Sequence, residues 1–391
     1  MKFKTIVIFV AFISVIVALV GAIIYYSSEM SNKKANEALQ LAKGMIESGE
    51  TTQALQQLEV IRTKYARADA AEEADFLFGK LLLEEAKTEE AAQVLEAFLN
   101  SYPESEFVPE AHYLQATILL MTEPDVEQAE QVFEEIIAKY PDSSAAHFSS
   151  FGLAKIAYKF GEMEKARKSM LDILDKKISP ELRGQVGELA GKVNLAVLFS
   201  PVLTEQDKVH TVERNDSVYE MSKRYGVTVD LIARCNELED PSKIRIGQKL
   251  KIPSLNLRLD VDKGTNKLTV YNNDQFFKSY KVSTSKFSYK LPTNEYLVRT
   301  RQKNRKYFDM QTREYYEPGH PQNEYGTRWI GLDASGQIGI HGTPHPELIG
   351  DYTPHGCIAM RNSDVEELFD IVKRGTKVKV FGEKIRERGA E

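Results

Sequence analysis

The sequence predicts a multidomain chain: an apolar N-terminal helix, an all-α helical-repeat solenoid, a small βααβ module and a mainly-β, sandwich-like C-terminal domain. Three observations predict it. An uncharged apolar run from Thr5 to Ser28 follows Lys2 and Lys4. Between Asn32 and Leu198 a helical pattern recurs at spacings of 37, 38 and 37 residues. From Leu257 the apolar residues alternate (Leu257, Leu259, Val261), which is the spacing of a half-buried strand.

The 391 residues leave room for two to four domains at roughly 100–200 residues each. With 42% hydrophobic and 28% charged residues, the composition is that of folded domains rather than disorder. A net charge of −6 excludes a nucleic-acid binder, because phosphate recognition needs a basic surface. From Leu257 onward there are 22 Lys+Arg and 18 Asp+Glu, so that part carries +4 and the rest −10. A basic C-terminal domain suits an anionic polymer.

The Thr5–Ser28 run holds 24 residues, enough to cross a hydrocarbon core of about 30 Å as a helix. It continues through Ile23 and Ile24, past the small residues Ala18 and Ala22, and no Cys stands nearby to take a lipid. Residues 1–31 are therefore expected to be an uncleaved single-pass anchor in the cytoplasmic membrane. Its Lys end faces the cytoplasm, and the chain after Glu29 lies outside, on the periplasm or cell-wall side. The alternative is a cleaved signal peptide. The two cysteines, Cys235 and Cys357, fall in different predicted domains and are expected to stay unpaired; they are too few for a disulfide framework.

Residues 32–199 carry the repeat. Ala54, Leu58, Ile61 and Tyr65 recur as Ala91, Leu95, Phe98 and Tyr102, then as Ala129, Phe133, Ile136 and Tyr140; a degenerate copy follows as Ala166, Met170 and Ile173. Offsets of 4, 7 and 11 put each set on one helical face. Tyr-Pro at 102–103 and 140–141 marks helix ends. The period and pattern resemble the tetratricopeptide family, a helix-pair solenoid. Two roles remain open: a concave surface for a protein partner, or a spacer that holds the following domains away from the membrane.

After a linker from Ser200 to about Lys208, residues 209–253 read as strand, two helices and strand around the turns Asn215-Asp216-Ser217 and Gly247-Gln248. The stretches Asn215–Val218, Tyr225-Gly226-Val227, Leu231 to Asn236, and Ile246 to Pro253 resemble a LysM module. That resemblance implies binding of peptidoglycan glycan strands through the loops after the first strand and before the last. These loops are Asn215, Asp216 and Ser217, and Ser242, Lys243 and Ile244. A module that has lost its ligand is the alternative. Cys235, in the second helix, reads as a small core thiol.

In residues 257–383, strands are expected near Leu257–Val261, Leu268–Val270, Tyr280–Thr284, Tyr296–Thr300, Arg328–Leu332, Ile338–His341 and Val378–Phe381. One helix is expected at Ser363–Lys373, with Ser363 as cap and Glu366 three residues on. Arg299, Arg301, Lys303 and Arg305 alternate. On a strand they share one face, as a basic wall or as a solvated edge.

His341-Gly342-Thr343 and His355-Gly356-Cys357, with His345 between them, bring three of the chain's seven His beside one of its two Cys. Three readings compete. In nucleophilic catalysis the Cys357 thiolate attacks, His341 takes its proton, a carbonyl such as that of Gly342 orients the imidazole, and Gly356 permits a tight turn. The Cys357 N–H then helps hold an oxyanion. A metal site from His341, His345, His355 and Cys357 is the second reading, although Gly-Thr-Pro between His341 and His345 disfavours a helical pair of ligands. A structural cluster is the third, and His and Gly fill cores poorly.

Ile340–Pro344 and Pro354–Ile358, with Tyr325–Leu332, Asn362–Asp364 and Asp260–Tyr271 around them, resemble the YkuD-type L,D-transpeptidases. The resemblance implies a cysteine acyltransferase without cofactor or metal. Cys357 is then its nucleophile, His341 its general base, and His355, Gly356 and Gly342 complete the site. Arg328, Trp329 and Arg361 are expected substrate contacts. Pro354 stands where the family has Ser or Thr, and Ala359 where it has Arg or Asn; Arg361 lies two residues on. The implied reaction releases D-Ala from a stem tetrapeptide and joins two stems through their third residues. An L,D-carboxypeptidase on the same residues and a non-catalytic peptidoglycan-binding scaffold are the alternatives.

Overall fold

The computed structural model describes residues 2–122, 126–285, 290–309, 312–353 and 356–382, with no side chains described for 2–15 and 18. The chain forms two compact units, Met1–Leu153 and Ala154–Glu391.

The first unit is helical: α1 Lys2–Glu47, α2 Thr51–Lys64, α3 Ala70–Glu84, α4 Thr88–Ser101, α5 Val108–Thr122, α6 Val126–Lys139 and the start of α7 Ser144–Lys159. Every Ala, Leu, Ile and Phe of the first three repeat copies is at most 2% exposed. Leu95 and Phe133 need room on the facing helix. A Cβ on Gly79 would lie 2.9 Å from Leu95, and one on Gly152 2.7 Å from Phe133. The repeat tyrosines close α2, α4 and α6 by donating N–H to Ile61, Phe98 and Ile136; Pro103 and Pro141 then bring no N–H to continue. Among the described residues no helix is long and apolar enough to cross a membrane. Half of the expected apolar span, 5–15 and 18, lies outside the described side chains.

The second unit begins inside the stretch expected as one repeat region. The fourth copy, α8 Met163–Leu174 with α9 Pro180–Phe199, joins the C-terminal half. The reason is the small face of α9. A Cβ on Gly187 or Gly191 would meet Phe276 or Lys278 of strand β5 (Gln275–Lys281), and Asn194 Nδ2 donates to the Phe277 carbonyl at 2.7 Å.

The βααβ module follows as β1 Lys208–Thr211, α10 Val218–Tyr225, α11 Val229–Cys235 and β2 Lys249–Ile252, with β1 and β2 antiparallel. Gly247 turns the chain at φ +83° just before β2. The module is docked on both sides. The Lys251 ammonium, 2% exposed, donates to the carbonyls of Val197, Ser200 and Val202 at 3.0, 2.9 and 2.7 Å and faces Asp207 at 3.4 Å. On the other side Asp230 pairs with Arg301 at 3.0 Å and Lys303 at 2.7 Å, and Arg234 pairs with Asp370 at 2.8 Å.

The C-terminal domain holds two sheets over one core. Strands β3 Leu257–Asp262, β4 Lys267–Asn272, β5 Gln275–Lys281, β6 Asn294–Leu297 and β13 Lys377–Phe381 form a sheet of order β5-β4-β3-β13-β6. Strands β7 Thr300–Lys303, β10 Arg328–Gly331, β11 Gly339–His341 and β12 Ile358–Ala359 form the other, of order β12-β11-β10-β7. Strands β8 Tyr307–Phe308 and β9 Tyr315–Tyr316 make a separate hairpin. Val261, Leu268, Ile330, Ile340 and Ile358 meet Val365 and Leu368 of helix α12 Asn362–Ile371 in that core.

The alternating cations do not share a face. β7 ends at Lys303, and Asn304 takes φ +53°. Arg301 and Lys303 reach Asp230 of the module, whereas Arg305 turns toward Trp329. Neither a single basic wall nor a solvated edge results.

Candidate active site

Cys357 and His341 come together through a parallel strand pair. β11 pairs with β12, so that Ile340 faces Ile358 and His341 faces Ala359. This places the imidazole at the end of β11 and the thiol at the start of β12. Both side chains line one cavity of about 240 Å³ with Ser283, Tyr307, Glu324 and Tyr325.

The imidazole is held on several sides. Its Nδ1 lies 2.5 Å from the Gly342 carbonyl. A carbonyl only accepts, so Nδ1 carries the proton and Nε2 is the basic nitrogen. The ring stacks on Trp329 at 5.7 Å and meets the edge of Tyr325 at 5.5 Å. The Arg305 guanidinium caps the Trp329 ring at 4.2 Å. Behind this, Asn362 Oδ1 accepts from the Thr327 N–H at 3.1 Å and lies where a Cβ on Gly342 would be. Gly342 is thus required by close approach. So is Gly356, where a Cβ would come 2.6 Å from the Lys290 carbonyl.

Cys357 is 8% exposed, and its Sγ donates to the Gln337 carbonyl at 3.3 Å. Burial pushes the thiol up to about 11, against the Gly339 N–H and the Arg305 charge, which favour the thiolate; Asp333 opposes them. The resting group is a thiol. An attack therefore needs a base, and His341 is an imidazole in the same cavity with its tautomer fixed. His345 also lines the cavity and lies 3.4 Å from Glu347. Among the described residues, no three His, Cys, Asp or Glu side chains converge as metal ligands. Pro354 and His355 lie outside the described residues.

Comparison with known proteins bears on this site. Residues 256–380 match the family model described as L,D-transpeptidase catalytic domain (YkuD). "Putative L,D-transpeptidase YqjB" of Bacillus subtilis (strain 168) is 37% identical over 122 residues, 30% of this chain and 67% of the relative. The chain belongs to the L,D-transpeptidase family. "Putative L,D-transpeptidase YkuD" of Bacillus licheniformis is 27% identical over 178 residues, 44% of this chain and 98% of the relative. The NMR structure of the catalytic domain of the E. faecium L,D-transpeptidase aligns at 22% identity with a TM-score of 0.27, over 32% of this chain and 97% of that one. Residues 210–253 match the LysM domain model, and 31–147 the model described as outer membrane lipoprotein (YfiO).

Within this transpeptidase domain, three expected substrate contacts sit elsewhere. Trp329 is 1% exposed and backs His341 without lining the cavity. Arg328 donates to the Thr327 carbonyl at 2.9 Å and faces Glu366 at 3.7 Å. Arg361 is the exposed N-cap residue of α12, so it does not stand in for the cation missing at Ala359, which does line the cavity. Ser363 does not cap that helix; it starts at Asn362, whose side chain is spent on Thr327.

In the LysM domain, Asp216 is turned inward. Its carboxylate accepts from His210 at 2.8 Å and from the Glu213 N–H at 2.7 Å, and these contacts hold it below the usual carboxylate range. Ser217 caps α10 through the Glu220 N–H. Asn215, at φ +70°, makes the turn between them. Ser242 and Lys243 both engage Asp240, and Ile244 packs on the core. These two loops are internally braced. Cys235 is fully buried and both cysteines are free.

Sequence reasoning missed Tyr325, Arg305 and Asn362 as supports of His341. Arg305 stood at the end of the cationic run, and Tyr325 and Asn362 at the starts of the stretches Tyr325–Leu332 and Asn362–Asp364, but none of these signals named a role.

Proposed function

We propose that this protein is a peptidoglycan L,D-transpeptidase in which Cys357 is the nucleophile and His341 the general base. The observation that carries the reading is the shared cavity, with His341 Nδ1 held on the Gly342 carbonyl. LysM and L,D-transpeptidase domains in one chain support peptidoglycan as the polymer bound.

In the first step His341 Nε2 takes the Cys357 proton, and Sγ attacks the carbonyl on the L-centre of the third stem residue. The C–N bond to D-Ala breaks, and D-Ala leaves with the proton from His341. A thioester to Cys357 remains. In the second step an amine of another stem attacks the thioester and gives up a proton to His341; the C–S bond breaks and Cys357 leaves as the thiol. Stems are thus joined through their third residues. Backbone N–H groups at Cys357 are the candidates to hold the oxyanion.

Residues 5–28 are proposed as the membrane anchor that keeps the domains outside the cytoplasm, supported by their uncharged length. Incubation with a stem tetrapeptide and a second stem tests the reaction. Dimer with loss of D-Ala is expected. Tripeptide and D-Ala with no dimer would show a carboxypeptidase instead.

A further inference from the structure

The cavity beside Cys357 carries a charge that the mechanism above does not use. Among its described lining residues Glu324 is the one carboxylate, and no Lys or Arg joins it. The Arg305 guanidinium lies over Tyr325 and Trp329 and is not part of the lining. Ala359 leaves no side chain to reach an anion there.

The backbone flanking Glu324 is held from both sides. Asn323, 2% exposed, donates to the carbonyls of Arg305, Tyr316 and Glu317 at 3.0, 3.2 and 3.2 Å, and accepts from the Tyr325 N–H at 3.0 Å. The Tyr325 ring is locked against Trp329 at 4.6 Å and His341 at 5.5 Å. Glu324 itself has no hydrogen bond or ion pair with another described residue. The Tyr307 hydroxyl, pushed up to about 12 by burial and then by Asp309 and Glu324, feels both that carboxylate and Cys357. Glu324 and Cys357 therefore act on one small space.

We propose that Glu324 selects the acyl acceptor: it attracts an ammonium and disfavours an amine that carries a neighbouring carboxylate. This rests on the transpeptidase reading and names its second substrate. The preferred acceptor is an amine with no free α-carboxylate, such as a side-chain amine or an α-amino amide. The physical ground is a like charge lining a partly enclosed site, which costs more than it does in open water.

The test uses the full chain, with D-alaninamide and D-alanine as competing acceptors for the same stem-tetrapeptide donor. These probes differ by an amide in place of the carboxylate. The product ratio is compared between wild type and Glu324→Gln, so the probes' different basicities cancel. The ratio of amide to acid product should fall about tenfold in the variant, the size expected for removing one like charge at short range. Acylation by a carbapenem, followed by mass, shows that each protein retains a competent thiol. An equal ratio in the two proteins overturns the acceptor role. If wild-type protein forms no acyl-enzyme from either the donor or the carbapenem, the transpeptidase reading falls, and the acceptor role with it.

Discussion

The two cysteines sit in regions that differ less in burial than in company. Cys235 is fully buried in the LysM core, its Sγ 3.5 Å from the Lys251 carbonyl, and burial pushes its thiol up to about 12. Cys357 is 8% exposed, and burial pushes it up to about 11. A low resting thiol pKa therefore does not separate them. What separates them is a cavity, a tautomer-fixed imidazole, and a cation behind the ring. Cys357 has all three and Cys235 none. Reactivity here is a property of the surroundings that meet the substrate, not of the resting sulfur.

The comparison breaks first at His341. In His341→Ala, Cys357 should resemble Cys235, and carbapenem acylation should slow by about 10²–10⁴-fold, the usual worth of a positioned base. A loss under about threefold would remove His341 from that role. Next is Asn362→Ala, which frees the Thr327 N–H and loosens the Gly342 turn. Acylation should fall about tenfold through misplacement of the imidazole, and unfolding should show a loss of about 1 kcal/mol for the hydrogen bond.

Arg305→Gln sharpens the electrostatic half. The cation favours the thiolate, so its removal raises the Cys357 thiol further. Iodoacetamide alkylation of Cys357 at fixed mildly alkaline pH should slow about threefold, with its pH midpoint moving upward. The smallest effect belongs to Cys235→Ala: acylation within about twofold of wild type, with about 1 kcal/mol less stability from the lost core sulfur. Both folded thiols lie above their ordinary value near 9. Their contribution to stability is thus complete below about pH 9 and is lost as pH rises toward about 11 to 12. In Cys235→Ala this alkaline loss should shrink, as read by thermal melts.

How much of this was legible in the chain follows from locality. Repeat positions such as Leu58, Leu95 and Phe133 announce themselves because helical spacing and burial are one pattern. The Cys357–His341 constellation was legible because a short loop joins its two motifs. Asn362 was not, since it opens α12 while its partner Thr327 sits in the turn before β10, and no periodicity links them. Trp329 was misplaced because an aromatic in a motif says nothing about which side of the imidazole it packs on. The inward turn of Asp216 was not legible for a similar reason: a polar turn residue looks the same whether it faces a ligand or its own His210. The boundary at 153/154 escaped because the fourth repeat keeps the solenoid pattern while Gly187 and Gly191 adapt it to β5.

Intact-protein mass after exposure to a carbapenem tests the central claim most directly. Wild type and Cys235→Ala should each gain one adduct, and Cys357→Ala none. An adduct on Cys357→Ala, or none on wild type, would contradict the assignment of Cys357 as the nucleophile.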